Sequence, residues 1–248
     1  MYWDPAPHPQ RRFPAPTLHE MPGSQDVYAT ARGRLRARVL GPLAANARRR
    51  RHEAFFARTE IRPGMTIVDI GCGSLGLRGL EPDLDITGVD LGPRPDYPGP
   101  FVRADATERL PFADGQFDLA YSSSVIEHVP RERRAAFAAE LRRVARGWFV
   151  QTPARSFPIE PHALLPFAHW LPPAVRRPYW RLGAQGHWEA IDLLGRREME
   201  ALFGPAAPEK AGPLTKSWVC VRPVGAPAPP PRARPGSRTA RGRGAPPG

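Results

Sequence analysis

The chain of 248 residues is long enough for one domain of ordinary size or two small ones with a sizeable buried core. Apolar residues make up 41% of it, and no run approaches the roughly 18 consecutive apolar residues that span a bilayer. The first residues lack the basic start and apolar run of a secretory signal, so we expect a cytoplasmic protein without stable membrane insertion. With only Cys72 and Cys220 present, neither a disulfide framework nor a cysteine-based zinc site is expected.

The net charge of +12 is concentrated towards the two ends of the chain. Residues 26–60 carry nine arginines against three acids, and residues 225–248 carry five arginines and no acid. Residues 61–224, in contrast, hold 20 basic and 19 acidic residues. Because a nucleic-acid groove needs a basic surface around its site, the near-neutral middle argues against a large one. The arginine-rich ends leave an RNA or protein partner open as an alternative.

Composition divides the chain into three parts. Six prolines disfavour regular structure in residues 1–25, and the Pro- and Arg-rich residues 225–248 cannot form a core. Both ends are therefore predicted to be disordered. Residues 26–224 have the size of one α/β domain. Within that domain, residues 153–187 are a Pro- and aromatic-rich insertion with no clear period.

Helical and strand patterns alternate along the middle of the chain. In chain order the patterns predict a helix at 43–58, strands at 65–70, 85–90, 101–104 and 117–122, a helix at 131–146 closed by Gly147, a strand at 148–152, a helix at 191–203 and a strand at 217–221. Such alternation indicates a doubly wound, mostly parallel sheet with helices on both faces. The predicted fold class is therefore α/β, with the insertion after the fifth strand.

A glycine-rich loop follows the first predicted strand, in the run Asp69-Ile-Gly71-Cys72-Gly73-Ser-Leu-Gly76. Loops that follow parallel strands meet at the carboxyl edge of the sheet, where ligands bind, and glycines let the backbone approach a ligand closely. Asp90 ends the next strand, nineteen residues after Gly71, where a carboxylate can take both hydroxyls of a ribose. The pattern favours a ligand-binding loop over a purely structural turn.

The glycine spacing also fits the fingerprint of dinucleotide-binding proteins, which would predict a nicotinamide or flavin ligand. That fingerprint opens a long helix whose amino end faces a pyrophosphate. Here Pro82 arrives six residues after Gly76, too early for such a helix. Asp69 would in addition repel a pyrophosphate, and it suits a ligand that carries positive charge. The dinucleotide interpretation is therefore the less favoured one.

Four motifs in order resemble those of the class I S-adenosylmethionine-dependent methyltransferases, especially the type 11 group. The resemblance runs from about Ile61 to Val150, and its motifs are Asp69-Ile-Gly71-Cys72-Gly73, Gly88-Val-Asp90, Asp105-Ala106 with Leu110-Pro-Phe112 and Phe117-Asp118, and the segment Ser122–His128. It implies a Rossmann-like sheet of the seven-stranded type, S-adenosylmethionine as the cofactor, and methyl transfer as the activity.

The resemblance also implies which residues hold the cofactor. The methionine part would contact Asp69, Gly71, Cys72, Gly73 and Ser122, the ribose Asp90 and the adjacent Leu91, and the adenine Asp105 and Ala106. Two features depart from the family pattern. Only the ten residues 91–100, four of them prolines, join Asp90 to the third strand, so the usual crossover helix is shortened or lost. The third glycine of the loop is displaced to Gly76 or has no equivalent.

Transfer of a methyl group from a sulfonium needs an acceptor held in line with that methyl. A general base is needed only where the acceptor is a hydroxyl or a protonated amine. We expect His128, with Glu127 beside it, to act as this base because both follow the fourth strand directly. The insertion supplies Glu160, His162 and His187, which we expect to bind the acceptor. No pair of histidines has the helical spacing of metal ligands, so no metal site is expected.

The predicted function is methyl transfer to a small-molecule, lipid or glycan acceptor. One alternative is a methyltransferase that acts on RNA or protein and uses the arginine-rich ends. Another is a non-catalytic protein of the same fold that only binds the cofactor. The sequence alone identifies neither the acceptor nor the oligomeric state.

Overall fold

The computed structural model describes residues 53–183 and 191–226. Its strands are β1 (Thr66–Ile70), β2 (Asp85–Asp90), β3 (Phe101–Arg103), β4 (Phe117–Ser123), β5 (Ala145–Pro153), β6 (Ile159–Glu160), β7 (Leu165–Pro166), β8 (Ala206–Ala211) and β9 (Leu214–Arg222). Its helices are α1 (residues 53–58), α2 (Arg134–Val144), α3 (Pro173–Trp180) and α4 (Arg196–Phe203). Short 3₁₀ turns lie at Ile126–His128, Arg131–Arg133 and Ala168–Trp170.

Seven strands form one sheet in the order β3-β2-β1-β4-β5-β9-β8. The first five strands in the chain are parallel, whereas β9 runs antiparallel to both β5 and β8. The predicted mostly parallel, doubly wound sheet is thereby confirmed. The sequence patterns missed β8, because this edge strand contains Pro208 and an irregular register between Glu209 and Lys210.

Apolar side chains are buried on both faces of the sheet. On one face, α2 contributes Phe137 and Leu141 and α4 contributes Met199 to the larger core cluster. On the other face, Phe55 of α1 packs edge-on against Tyr121 and Phe149, with ring centroids 5.1 and 5.4 Å away. Because both faces are covered, the interior strand β1 is buried almost throughout.

Three predicted helix boundaries are wrong. The segment predicted as a helix over 131–146 begins with a 3₁₀ turn, and α2 ends at Val144. Gly147 lies inside β5, where a Cβ would come within 2.7 Å of the carbonyl oxygen of Arg222 on β9. The glycine therefore permits close approach of two strands and does not end the helix. The helix predicted from residue 191 begins only at Arg196.

The segment after β5 has more regular structure than its composition indicates. β6 and β7 form an antiparallel pair, α3 follows, and Trp180 packs with Ala163 and Leu165 in a small separate core. Two-residue strands and a helix with an internal proline are too short to give a periodic pattern. Three predicted segments lie outside the described residues. They are the end of the insertion, 184–187, the N-terminal residues 1–25 that were predicted to be disordered, and nearly all of the predicted tail 225–248. Within the part of the chain that is described, no helix has the length and apolarity to cross a bilayer.

Arg134 at the start of α2 is a buried cation that connects three segments of the chain. Its Nε donates to the carbonyl oxygen of Val129 at 3.1 Å, and its Nη1 pairs with the Glu198 carboxylate at 2.7 Å. Its Nη2 donates to the carbonyl oxygen of Asp192 at 2.5 Å. The backbone of Asp192 in turn donates to the carbonyl oxygen of Glu127 at 3.0 Å. Arg134 therefore supports the turn that follows β4.

Replacing Arg134 with methionine removes these part-buried hydrogen bonds and leaves the Glu198 carboxylate without this ion pair. We expect the free energy of unfolding to fall by about 2–4 kcal/mol, measured by urea denaturation. Arg131→Met is the matched control, because Arg131 contacts the same Asp192 from an exposed position and should cost less than about 1 kcal/mol. Similar losses for the two variants would contradict a supporting role for Arg134.

Candidate active site

The predicted site residues at the ends of β1, β2 and β4 meet at one edge of the sheet. Asp69 pairs in register with Gly88 of β2 on one side and with Tyr121 of β4 on the other. Asp90 ends β2 and Ser122 lies next to the end of β4. Because the strands are parallel, all of these ends lie at the carboxyl edge, which is where a ligand site of this fold is expected.

Asp69 is a buried carboxylate, and no basic side chain pairs with it among residues 53–183 and 191–226. Its Oδ2 accepts a hydrogen bond from the backbone N–H of Leu77 at 2.6 Å. Burial, with a smaller contribution from the negative charge of Asp90, raises the pKa of Asp69 to about 7. Gly76 has φ +55°, and a Cβ there would come within 2.4 Å of Asp69 Oδ2. The loop therefore closes tightly over this carboxylate.

The backbone of the glycine loop is held against β2. The N–H groups of Gly71 and Cys72 both donate to the carbonyl oxygen of Val89, at 2.8 and 3.2 Å. Gly71 has φ +78°, and a Cβ there would collide with Val125 at 2.3 Å. A Cβ on Gly73, in contrast, would meet no described atom within 4 Å, so this part of the loop is open to a ligand. The Cys72 thiol is buried, and burial raises its pKa to about 12, which favours the protonated thiol over the nucleophilic thiolate.

Asp90 already accepts several hydrogen bonds from its own loop. Its Oδ2 accepts from the N–H of Gly73 at 2.9 Å, and its Oδ1 accepts from the N–H of Gly92 and the guanidinium of Arg94, both at 3.1 Å. Each carboxylate oxygen has two lone pairs, so a ribose would share this carboxylate with these donors. The sequence analysis missed Arg94, although its position four residues after Asp90 could have indicated the pair. The adjacent Leu91 is exposed.

Asp105 accepts hydrogen bonds within its own turn and also from Arg133, the residue directly before α2. Its Oδ1 accepts from the N–H and the hydroxyl of Thr107, at 2.8 and 2.6 Å, and its Oδ2 accepts from Arg133 at 3.2 Å. Burial opposes ionisation here, but these hydrogen bonds outweigh it and lower the pKa of Asp105. Ala106 packs against the larger core. An adenine at this position would therefore share the Asp105 carboxylate with Arg133.

The connection between β2 and β3, residues 91–100, contains no helix, as predicted.

The end of β4 carries three consecutive serines. The Ser122 hydroxyl is buried and has no hydrogen-bond partner among the described residues. Ser123 and Ser124 both donate to Oε1 of Gln151 on β5, at 2.8 and 3.3 Å. Ser124 adopts φ +57°, a left-handed conformation that is unfavourable for a residue with a side chain and that clusters at functional sites. This strained residue directs the chain from β4 into the Ile126–His128 turn.

A second polar group lies where that turn meets the β6–β7 hairpin. Glu127 is buried, its Oε2 accepts from the Thr152 hydroxyl at 2.9 Å, and its Oε1 lies 3.8 Å from Nε2 of His162. Burial raises the pKa of Glu127. Glu160 is completely buried, and its carboxylate accepts from the N–H of His162 at 2.9 Å, from the N–H of Ala163 at 2.5 Å, and from Nδ1 of His162 at 2.8 Å.

His128 completes this group. Its ring stands edge-on to that of His162, with centroids 4.9 Å apart and an interplanar angle of 87°. The structure thus brings together the predicted general base His128 with its neighbour Glu127, and two of the three residues predicted to bind the acceptor, Glu160 and His162. The third, His187, lies outside the described residues.

Residues 68–150 match a family model described as a methyltransferase domain. Residues 68–150 therefore form a methyltransferase domain. Over 108 residues it is 38% identical to an uncharacterized methyltransferase of Mycobacterium sp. (strain JLS), covering 38% of this chain and 41% of that protein. Over 97 residues it is 36% identical to the 2-methyl-6-phytyl-1,4-hydroquinone methyltransferase of Synechocystis sp., covering 34% of this chain and 30% of that protein.

The chain therefore spans less than half the length of these curated relatives. A crystal structure of an S-adenosylmethionine-dependent methyltransferase from Mesorhizobium loti covers 41% of this chain and 53% of that one, at 25% identity and a TM-score of 0.33. The cofactor of this class is S-adenosylmethionine, and the site suits it. The buried Asp69 without a basic partner fits an ammonium group, and the open backbone at Gly73 admits close approach.

The ionisation of Asp69 should destabilise the ligand-free methyltransferase domain as pH rises. Its folded-state pKa of about 7 exceeds the value of 3.8 for an unperturbed aspartate, so the folded protein binds the proton more tightly. This contribution to stability is complete below pH 3.8 and is lost as pH rises to about 7. Asp69→Asn keeps an oxygen acceptor for Leu77 and removes the titration.

We therefore expect the variant to gain melting temperature relative to the wild type at pH 8, and to gain less at pH 5. The exposed Asp96→Asn is the control and should shift little at either pH. Thermal unfolding followed by circular dichroism at both pH values measures the difference. A constant offset between Asp69→Asn and wild type would contradict the elevated pKa.

Proposed function

We propose that the chain transfers the methyl group of S-adenosylmethionine to a small-molecule, lipid or glycan acceptor. The observation that carries this proposal is Asp69, a carboxylate buried at a strand end of a methyltransferase domain without a basic partner among the described residues. A buried charge without a partner is costly, so the site favours a ligand that brings a positive group. S-adenosylmethionine carries both an ammonium and a sulfonium and has no phosphate to be repelled.

In this proposal, each residue at the carboxyl edge contacts a different part of the cofactor. Asp69 pairs with the ammonium, and the open backbone at Gly73 lies along the methionine part. Asp90 accepts from the ribose hydroxyls while it keeps its hydrogen bonds to the loop. The Ser122 hydroxyl, buried without a described partner, supplies a further hydrogen bond to the methionine part.

The acceptor lies, in this proposal, beside the turn that follows β4 and the facing β6–β7 hairpin. The bound cofactor supplies an already activated methyl group, so the protein has to position the acceptor. Glu127 and His128 on the turn, and His162 on the hairpin, place a carboxylate and two imidazoles at one point. These groups can orient a hydroxyl or amine and take up its proton. Glu160 holds His162 in position through the Nδ1 contact of 2.8 Å.

The segment after β5 favours an acceptor with an apolar part. Phe167, Trp170 and Leu182 on this segment are about half exposed or more, a degree of apolar exposure that usually marks contacts. One relative acts, by its name, on a phytyl-bearing hydroquinone, which is consistent with such an acceptor. The near balance of charge over residues 61–224 gives no support to a nucleic-acid substrate.

Cofactor binding is tested by calorimetry with S-adenosylhomocysteine, the demethylated form of the cofactor. Asp90→Asn removes the charge and one acceptor from the ribose contact, so we expect affinity to fall about tenfold or more. The exposed Asp96→Asn keeps the same charge change nearby and should bind like the wild type. Equal affinities for all three proteins would exclude the ribose assignment. Tighter binding of NAD than of S-adenosylhomocysteine would overturn the proposed function.

Methyl transfer is tested with cofactor labelled in its methyl group and an extract of the host, with the labelled product followed by mass spectrometry. The double substitution Glu160→Ala with His162→Ala should abolish labelling and leave the affinity for S-adenosylhomocysteine unchanged. His169→Ala, in the same segment but hydrogen-bonded only to the backbone of Arg155 in the described contacts, is the control and should label normally. Normal labelling by the double variant would show that the acceptor binds elsewhere.

A further inference from the structure

We propose that Glu127, His128 and His162 bind a divalent transition-metal ion at the acceptor end of the site. Metal binding itself follows from the side chains alone. The role that we give the ion, holding an oxygen atom of the acceptor, rests on the proposed function.

The three side chains offer one ligand atom each, and these atoms all lie within 4.8 Å of one another. Tetrahedral ligands about 2.0–2.2 Å from a zinc ion lie about 3.4 Å apart, so the three atoms have to approach one another by up to about 1.4 Å when an ion binds. Two imidazoles with one carboxylate suit zinc, iron or cobalt better than magnesium or calcium, which prefer oxygen ligands. Three protein ligands also leave a coordination position open, as in catalytic sites.

An independent observation comes from the Glu127 carboxylate. Glu127 is only 1% exposed, and its Oε1 accepts no hydrogen bond from the described residues. The other oxygen, Oε2, is occupied by the Thr152 hydroxyl at 2.9 Å. A buried carboxylate oxygen without a donor is costly, and this one points towards Nε2 of His162 at 3.8 Å. A cation next to Oε1 would supply the missing partner of this carboxylate oxygen.

Glu160 orients His162 so that it can act as a metal ligand. Its carboxylate accepts from Nδ1 of the imidazole at 2.8 Å, which places the proton on Nδ1 and leaves the lone pair of Nε2 facing the cluster. Carboxylates that hold the second nitrogen of a histidine in this way are characteristic of metal-ligating histidines, because they fix both the tautomer and the ring orientation. Glu160 is itself fixed by two backbone N–H groups of the hairpin.

The position of the cluster gives the ion a use in methyl transfer to oxygen. With their ligand atoms bound to the ion, Glu127, His128 and His162 no longer take up the acceptor's proton. The cation takes over this part of their role, because it lowers the pKa of a hydroxyl that it contacts and so eases loss of the proton to solvent. The acceptor oxygen then forms the new C–O bond as the C–S bond breaks, and the sulfonium leaves as a neutral thioether. The inference therefore narrows the acceptor to an alcohol or a phenol.

Zinc titration of the full chain after treatment with a chelator tests the site. By calorimetry we expect one equivalent of zinc to bind, with affinity at least 100-fold lower in His162→Ala and in Glu127→Gln. Glu160→Gln, which alters only the support of His162, should weaken binding about 10- to 100-fold. His169→Ala is the control and should bind zinc like the wild type.

Folding of each variant is checked by circular dichroism, and the less buried His128→Ala provides a further ligand variant should a buried substitution unfold the chain. Failure of the wild type to bind zinc, or unchanged binding in the ligand variants, would overturn the inference and leave an ion pair between Glu127 and a protonated His162. Binding of S-adenosylhomocysteine is measured on the same samples. If the wild type fails to bind S-adenosylhomocysteine, the result counts against the proposed function, whether or not zinc binds.

Discussion

The site depends on a carboxylate that is buried before any ligand arrives. Asp69 lies next to the end of the interior strand β1, and the backbone N–H of Leu77 is its hydrogen-bond donor. The loop can make this contact only because Gly76 leaves room beside the carboxylate. The sheet, the loop and the neighbouring Asp90 together hold negative charge in a poorly solvated place. A cationic ligand removes that cost, so the fold itself selects the sign of the charge that binds.

Local features of the sequence predict where Asp69 and Asp90 lie in the fold. Asp69 and Asp90 each follow a short β-rich run, and a parallel sheet necessarily brings such strand ends to one edge. The early Pro82 correctly indicates that no long helix follows the glycine loop, and the prolines in 91–100 correctly indicate a connection without a helix. Each of these predictions uses residues close together in the chain, where backbone chemistry decides the structure.

Contacts between distant parts of the chain escape the same reasoning. Glu127 and His162 lie 3.8 Å apart in space although 35 residues separate them in the chain, and spacing along the chain does not predict this contact. Gly147 was misassigned because its close neighbour, Arg222 on β9, comes from the other end of the domain. Strand β8 was missed because its pairing with β9, and not its own composition, makes it a strand. Tertiary packing determines these features, and no local pattern encodes it.

The two edges of the sheet differ from its apolar centre in a way that bears on aggregation. β3 has only three residues, and β8 carries Pro208, an irregular register and the charged pair Glu209 and Lys210. An exposed strand with a regular row of N–H and C=O groups would offer a template on which a second chain could add. The short length of β3 at one edge, and the proline and irregular register of β8 at the other, leave little of such a template. The folded sheet therefore offers a second copy no long, regular edge strand with which to pair.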